Sequence, residues 1–158
     1  MDEKTLKVLL TDTPVSEVRY YSETGSTNDL ALQWLDSGAP DFALVAADRQ
    51  TAGRGRMQRT WITNPGAALA FSLILHLDPK ESKNAAMMPF IAGAGLSSAL
   101  ERLYSISPQV KWPNDILLEG KRRQVYWWNP SGWIVPKFLW SSALVLISRP
   151  DHFPPPKG

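Results

Sequence analysis

The 158-residue chain contains no cysteine, so it has neither disulfides nor a thiolate metal site. Imidazole is scarce too. His76 and His152 are the only histidines, which argues against a histidine-built metal centre. No apolar run approaches the length of a membrane span. The opening MDEKTLKVLLTDTP carries acids early and lacks the apolar core of a signal peptide. A cytoplasmic protein is the expectation. An evenly basic surface is also missing, although the formal net charge is +2. Residues 1–119 hold 11 Lys/Arg against 14 Asp/Glu, whereas residues 120–158 hold 6 against the single Asp151. The positive balance therefore belongs to the tail, and the body gains no support as a nucleic-acid face. The length suits one domain with one core.

Along the chain, Leu6–Leu10 is a short apolar patch followed by a proline-containing turn. Val18–Tyr21 reads as a strand. Ser26 or Thr27 suits a helix N-cap, and Leu30, Ala31, Trp34 and Leu35 then share one helical face that Gly38 and Pro40 terminate. Phe42–Ala47 is a continuous apolar run, a candidate central strand. Leu69, Phe71, Leu73, Leu75 and Leu77 alternate with Ala70, Ser72, Ile74 and His76, a strong strand signal in which His76 reads as structural. Asn84–Tyr104 is the best helix, with Met88, Ile91, Ala92, Gly95, Leu96, Ala99, Leu100 and Leu103 on one stripe expected to pack on the sheet. Pro89 belongs near its first turn. Val110–Trp112 and Ile116–Leu118 read as strands, with a bend at Pro113-Asn114 and a hairpin turn at Glu119-Gly120. The fold class is α+β: a mixed sheet with helices packed against it.

Three stretches carry chemistry. In Gln50–Trp61, QTAGRGRMQRTW, Gly53 and Gly55 alternate with Arg54 and Arg56. Glycine allows close backbone approach to a ligand, and arginine offers a fork of donors suited to carboxylate and phosphate. The stretch lacks the Gly-Lys-Ser/Thr of a Walker loop and the third glycine of a dinucleotide fingerprint. Alone it reads equally as a solvated basic loop. Ser26-Thr27-Asn28 lies upstream, where capping alone is the simplest reading. Lys111-Trp112-Pro113-Asn114-Asp115 lies downstream, where Asn114-Asp115 also suits a plain turn.

In this order the three stretches resemble the catalytic domain of biotin protein ligases, over roughly Val18 to Lys121. The resemblance implies ATP and biotin as substrates, Mg²⁺, and a biotin carboxyl carrier protein domain as partner. It implies that Ser26, Thr27, Asn28, Gln50, Arg54, Gly55 and Arg56 contact biotin. Gly53, Arg56, Trp61 and Lys111 would meet ATP or the adenylate, with Trp61 against the adenine or simply in the core. Arg54, Arg56 and Lys111 would serve catalysis, and Asp115 would be the acid on the metal side. The uncharged donors and acceptors of Ser26–Asn28 suit a ureido ring. The first residues are too few for a helix-turn-helix, so no DNA-binding domain is expected. A homodimer stays open. Two other readings stand beside biotin ligation: a binding-only remnant, and a lipoate–protein ligase on a similar fold.

The resemblance divides the chain into a ligase-like part, 1–121, and a tail, 122–158. The tail holds four of the seven tryptophans and six of the thirteen prolines, and shows no clear strand or helix period. The family would continue with a lysine, an Ala-Gly-Ile-Leu-Val-Glu strand and a Gly-Ile-Gly-x-Asn turn. Arg122 stands where that lysine is due. RRQVYWWNP admits codons whose neighbouring frame reads TAGILVEPQW. WSSALVLISRPDHFPPPK admits the same shift to VLGIGVNIAPGPLPPPK. One base lost near codons 121–122 accounts for both, so the expectation is a truncated catalytic domain, an out-of-frame tail and a sheet left incomplete at its C-terminal end.

Overall fold

The computed structural model describes residues 1–54, 60–62, 68–76, 87–111, 115–118, 121–122, 125–127 and 139–147. Helix α1 (Glu3–Leu9) starts at Asp2, whose carboxylate accepts from the Thr5 amide at 2.7 Å. Strand β1 (Val18–Tyr21) leads to helix α2 (Thr27–Asp36), capped by Ser26 and closed at Gly38 (φ 91). Strand β2 (Leu44–Ala47) follows, parallel to β1 with Val18 opposite Leu44. A ribbon of β3 (Gly53–Arg54) and β4 (Thr60–Trp61) precedes the long β5 (Ala68–His76). Helix α3 (Met88–Tyr104) connects to β6 (Gln109–Lys111), β7 (Asp115–Leu118) and β8 (Lys121–Arg122). Strands β9 (Val125–Trp127) and β10 (Leu139–Ile147) complete the described elements.

The main sheet has the order β1-β2-β5-β10-β9, with β1 and β2 parallel and the other neighbours antiparallel. A second sheet has the order β6-β7-β8. This is the mixed α+β architecture that the periodicities imply.

The βαβ unit β1–α2–β2 lays α2 across β2, β5 and β10. Ala31, Trp34 and Leu35 meet Val45, Ile74 and Ala43 in the core, and Arg19 stacks 3.8 Å from the Trp34 ring centroid. The alternation in β5 resolves unexpectedly. The fully buried face is the one bearing the smaller residues, Ala70, Ser72 and Ile74, because α2 presses on it. The larger Leu69, Phe71 and Leu73 turn to the opposite face, where α1 leaves an apolar cavity of about 250 Å³. At its rim the Tyr20 hydroxyl donates to Asp48, whose carboxylate pushes the phenol up to about 12.

Three expectations need correction. Phe42 is not strand: it takes φ 57, held by its own amide donating to the Asp41 carboxylate at 3.0 Å. That same oxygen accepts the His76 amide at 2.8 Å, so β2 begins only at Leu44. The α3 stripe is buried only in part. Leu96 and Leu100 pack with Ile116 of β7, while Ile91 and Leu103 are 59% and 52% exposed. The short strand β6, beside which α3 lies, spans too little of a 17-residue helix to cover its whole face. Strand β6 is described over Gln109–Lys111; Trp112, the last residue read as strand, lies outside the described residues. Finally, the tail does contribute strands. Leu139–Ile147 pairs with β5 along nine residues and β9 pairs with β10, so β5 is hydrogen-bonded on both sides. The apolar run Ala143–Ile147 is strand-prone in composition, and backbone pairing asks little more of it.

Asn84–Ala86, at the start of the expected helix, lie outside the described residues, and Pro89 falls in the first turn of α3 as expected. Leu118 opposite Lys121 leaves two residues between the strands, the spacing of the expected hairpin. No helix among the described residues is long and apolar enough to cross a membrane.

Candidate active site

The buried polar side chains among the described residues are Ser26, Thr27, Asn28, Gln50 and Ser72. All five gather at the N-terminus of α2. Burying polar groups is unfavourable unless each finds a partner, so their concentration in one place makes this cluster the candidate site.

Two backbone features create it. The segment entering α2 runs beside the segment leaving β2. Thr24 bridges Gln50 in parallel, the Thr51 amide donates to the Thr24 carbonyl at 3.0 Å, and the Ala52 amide donates to the Gly25 carbonyl at 2.8 Å. Sequence positions 26–28 and 50–53 are thereby held side by side. Below them, β5 presents Ser72 on its buried face.

The hydrogen bonds have a defined direction. The Thr27 amide can only donate, so the Gln50 atom 2.8 Å away is Oε1, as placed. The same oxygen accepts the Thr27 hydroxyl at 3.0 Å. With its proton committed, Thr27 Oγ1 accepts from Ser72 Oγ at 3.0 Å. Asn28 Oδ1 lies 3.4 Å from that Ser72 oxygen. Ser26 Oγ accepts from the Asp29 amide at 3.4 Å, the capping bond read from the sequence. The positive end of the α2 dipole points into this cluster.

Gly53 is buried next to the cluster and pairs with Trp61, while Arg54 pairs with Thr60. The backbone of Gly53–Arg54 is thus paired with the strand carrying Trp61. Gly55 and Arg56 lie outside the described residues. Lys111 and Asp115 stand opposite each other across the β6–β7 hairpin. The structure therefore forms two groups from the candidate residues: Ser26, Thr27, Asn28, Gln50 and Gly53 beside the main sheet, and Lys111 with Asp115 on the second sheet. The described residues contain no group of three acidic or imidazole side chains fit for a resident metal ion. The sequence reading missed Ser72 as a site residue. Its only signal was a hydroxyl on the Ala70–Ile74 face of an otherwise apolar strand.

Known proteins resemble the chain in sequence and fold. The model of the Biotin/lipoate A/B protein ligase family matches residues 21–123. The Bacillus subtilis bifunctional ligase/repressor BirA is 38% identical over 103 residues, 65% of this chain and 31% of that protein. The Mycobacterium tuberculosis biotin–[acetyl-CoA-carboxylase] ligase is 32% identical over 103 residues, 63% of this chain and 39% of that protein. The chain thus spans less than half the length of these relatives. A biotin protein ligase from Aquifex aeolicus, solved in complex with biotin and ATP, superimposes with a TM-score of 0.66 at 29% identity, covering 83% of this chain and 52% of that one.

Proposed function

Because the chain belongs to the Biotin/lipoate A/B protein ligase family, we propose that it serves biotin–protein ligation. The observation that carries this reading is the buried cluster of Ser26, Thr27, Asn28 and Gln50 beside Gly53. It is polar and uncharged, as recognition of a ureido ring requires. It also lies next to the stretch that bears the arginines for an anionic adenylate.

The reaction proposed has two steps. A carboxylate oxygen of biotin attacks the α-phosphorus of ATP, and pyrophosphate leaves. The amine of a lysine on a biotin carboxyl carrier protein then attacks the acyl carbon of biotinyl-5′-AMP. AMP departs and the amine loses a proton. Neither step needs an enzyme nucleophile, which suits a chain without cysteine. Arg54, Arg56 and Lys111 are proposed to offset phosphate and carboxylate charge. Gly53 and Gly55 let the loop approach the adenylate, and Trp61 offers a face to adenine. Magnesium enters as the ion accompanying ATP, and Asp115 is the acid proposed to meet it; one carboxylate plus phosphate oxygens is a usual magnesium environment. A cytoplasmic setting fits these substrates.

Incubation with biotin, ATP, magnesium and an apo carrier protein tests the proposal. Biotinyl-AMP and biotinylated carrier are expected, with biotin preferred over lipoate, as the name of the Mycobacterium tuberculosis relative suggests. Failure to form either product rejects ligation. A second reading, biotin binding without catalysis, is favoured by one observation: the polar cluster lies wholly within residues 21–123, where the family match runs, and the tail lies beyond it. Calorimetry separates the two, since binding heat without adenylate formation selects the second. We also infer that residues beyond about Lys121 are read out of frame. The end of the family match at residue 123 supports this. Reading the gene across codons 121–122 tests it, and codons incompatible with the shifted sequences reject it.

A further inference from the structure

We propose that Ser72 is a positioning residue for the biotin pocket, acting through Thr27; this rests on the ligation reading above. Ser72 lies in the middle of β5, fully buried, with Val45 and Ala143 as its register neighbours. A hydroxyl on this face is otherwise out of place, since Ala70 and Ile74 flank it beneath α2. Its bond explains it. Ser72 Oγ reaches Thr27 Oγ1 at 3.0 Å, and Thr27 is the first residue of α2.

The consequence is directional. A threonine hydroxyl has one proton and rotates freely unless both its donor and its acceptor roles are filled. Gln50 Oε1 takes the Thr27 proton, and the Ser72 proton occupies a lone pair on Thr27 Oγ1. The hydroxyl then has a single orientation. The Gln50 carbonyl oxygen, bonded twice to Thr27, is fixed with it. Ser72 thereby ties β5, the start of α2 and the segment after β2 into one polar unit, and the side chains meant to face biotin are set before biotin arrives. Pre-setting of this kind reduces the ordering cost of binding.

Without the Ser72 hydroxyl, Thr27 Oγ1 still donates to Gln50, and no donor is left buried without an acceptor. The fold should lose little, but the hydroxyl is then held by one partner instead of two. Ser72→Ala is therefore expected to weaken biotin binding about fivefold, the equivalent of one ordinary hydrogen bond, while ATP affinity stays unchanged. Ser72→Thr, which keeps the hydroxyl, is expected to restore biotin affinity. Ile74→Val, on the same buried face without a polar role, should lower the melting temperature but not the biotin affinity.

The experiment is calorimetry of the full chain and these three variants with biotin and separately with ATP, alongside thermal melts. A biotin-selective loss in Ser72→Ala with recovery in Ser72→Thr supports the proposal. Parallel loss of biotin affinity, ATP affinity and melting temperature in Ser72→Ala overturns it, because that pattern is a structural serine. Wild-type binding of biotin with an unaffected Ser72→Ala variant overturns the positioning role alone and leaves the ligation reading standing. A wild-type chain that binds no biotin removes both.

Discussion

Replacing Thr27 by valine probes the polar cluster with almost no change of shape. Thr27 is fully buried, so the methyl that substitutes for the hydroxyl enters the same space. Two hydrogen bonds disappear, to Gln50 Oε1 and from Ser72 Oγ, both at 3.0 Å. The groups left behind are not stranded equally. Gln50 Oε1 keeps the Thr27 amide at 2.8 Å, whereas the Ser72 proton retains only the longer 3.4 Å approach to Asn28 Oδ1. One bond is thus a clean loss and the other leaves a poorly satisfied donor. At about 1 kcal/mol for each bond, the expected destabilisation is about 2 kcal/mol, offset in part by the easier burial of a methyl. For a chain of this size that lowers the melting temperature by roughly 4–8 °C. Denaturant titration, with an unchanged slope, measures the stability term. Calorimetry with biotin measures the functional one, expected to fall about tenfold or more if the hydroxyl also meets ligand. A valine variant as stable as the parent, binding biotin equally well, would refute both the energetic weight of the cluster and its role as the pocket.

Three further outcomes are expected from other parts of the molecule. Trp34→Ala empties the centre of the α2 core and removes the ring beneath Arg19, so a loss of about 3–5 kcal/mol is expected in urea unfolding. At acid pH, α1 should loosen first. The Thr5 amide holds the Asp2 carboxyl below its usual range, and Lys7 and the Tyr20 amide do the same for Glu3. Depressed carboxylates stabilise above their unfolded pKa and lose that contribution as pH falls through the folded value, so amide exchange in α1 should accelerate below about pH 4. Val145→Pro removes a ladder donor in β10, which has partners on both sides, and should sharply lower the melting temperature; an unchanged melt would show that β10 contributes nothing to the sheet.

The elements that the sequence revealed are those with a strong local signal. Ser26 announced the cap of α2, Gly38 its end, and the period of two in Leu69–Leu77 the longest strand before the tail. The site was half legible. Ser26–Asn28 and Gln50 were picked out by their order in the chain, and the parallel bridge of Thr24 to Gln50 brings them together. Ser72 escaped because its meaning depends on which face of β5 is covered, and alternation specifies two faces without saying which one a helix will press upon. The larger residues Leu69, Phe71 and Leu73 lie on the face away from α2, whose close approach is matched by Ala70 and Ser72. The partial burial of α3 was illegible for a similar reason: a stripe shows what a helix is able to bury, not how much partner surface meets it.

The tail joins these two lessons. The family match ends at residue 123, yet Leu139–Ile147 lies in the main sheet beside β5. These facts are compatible because a sheet lane and a catalytic motif make different demands. A lane beside β5 needs backbone donors and acceptors at the right spacing, and an apolar run to lie beneath a helix. Many sequences meet that demand, and Ala-Leu-Val-Leu-Ile does so in composition. A lysine aimed at a phosphate, or a glycine turn against a ligand, is met by very few. On the out-of-frame proposal Arg122 stands where the family has a lysine, and a planar fork is not equivalent to a compact ammonium. On the out-of-frame proposal, a tail of this kind closes the sheet without itself supplying those motifs. On the ligation proposal the separation falls along the chain itself: recognition of biotin depends on residues 26–72, and completion of the reaction depends on Lys111 and the residues C-terminal to it.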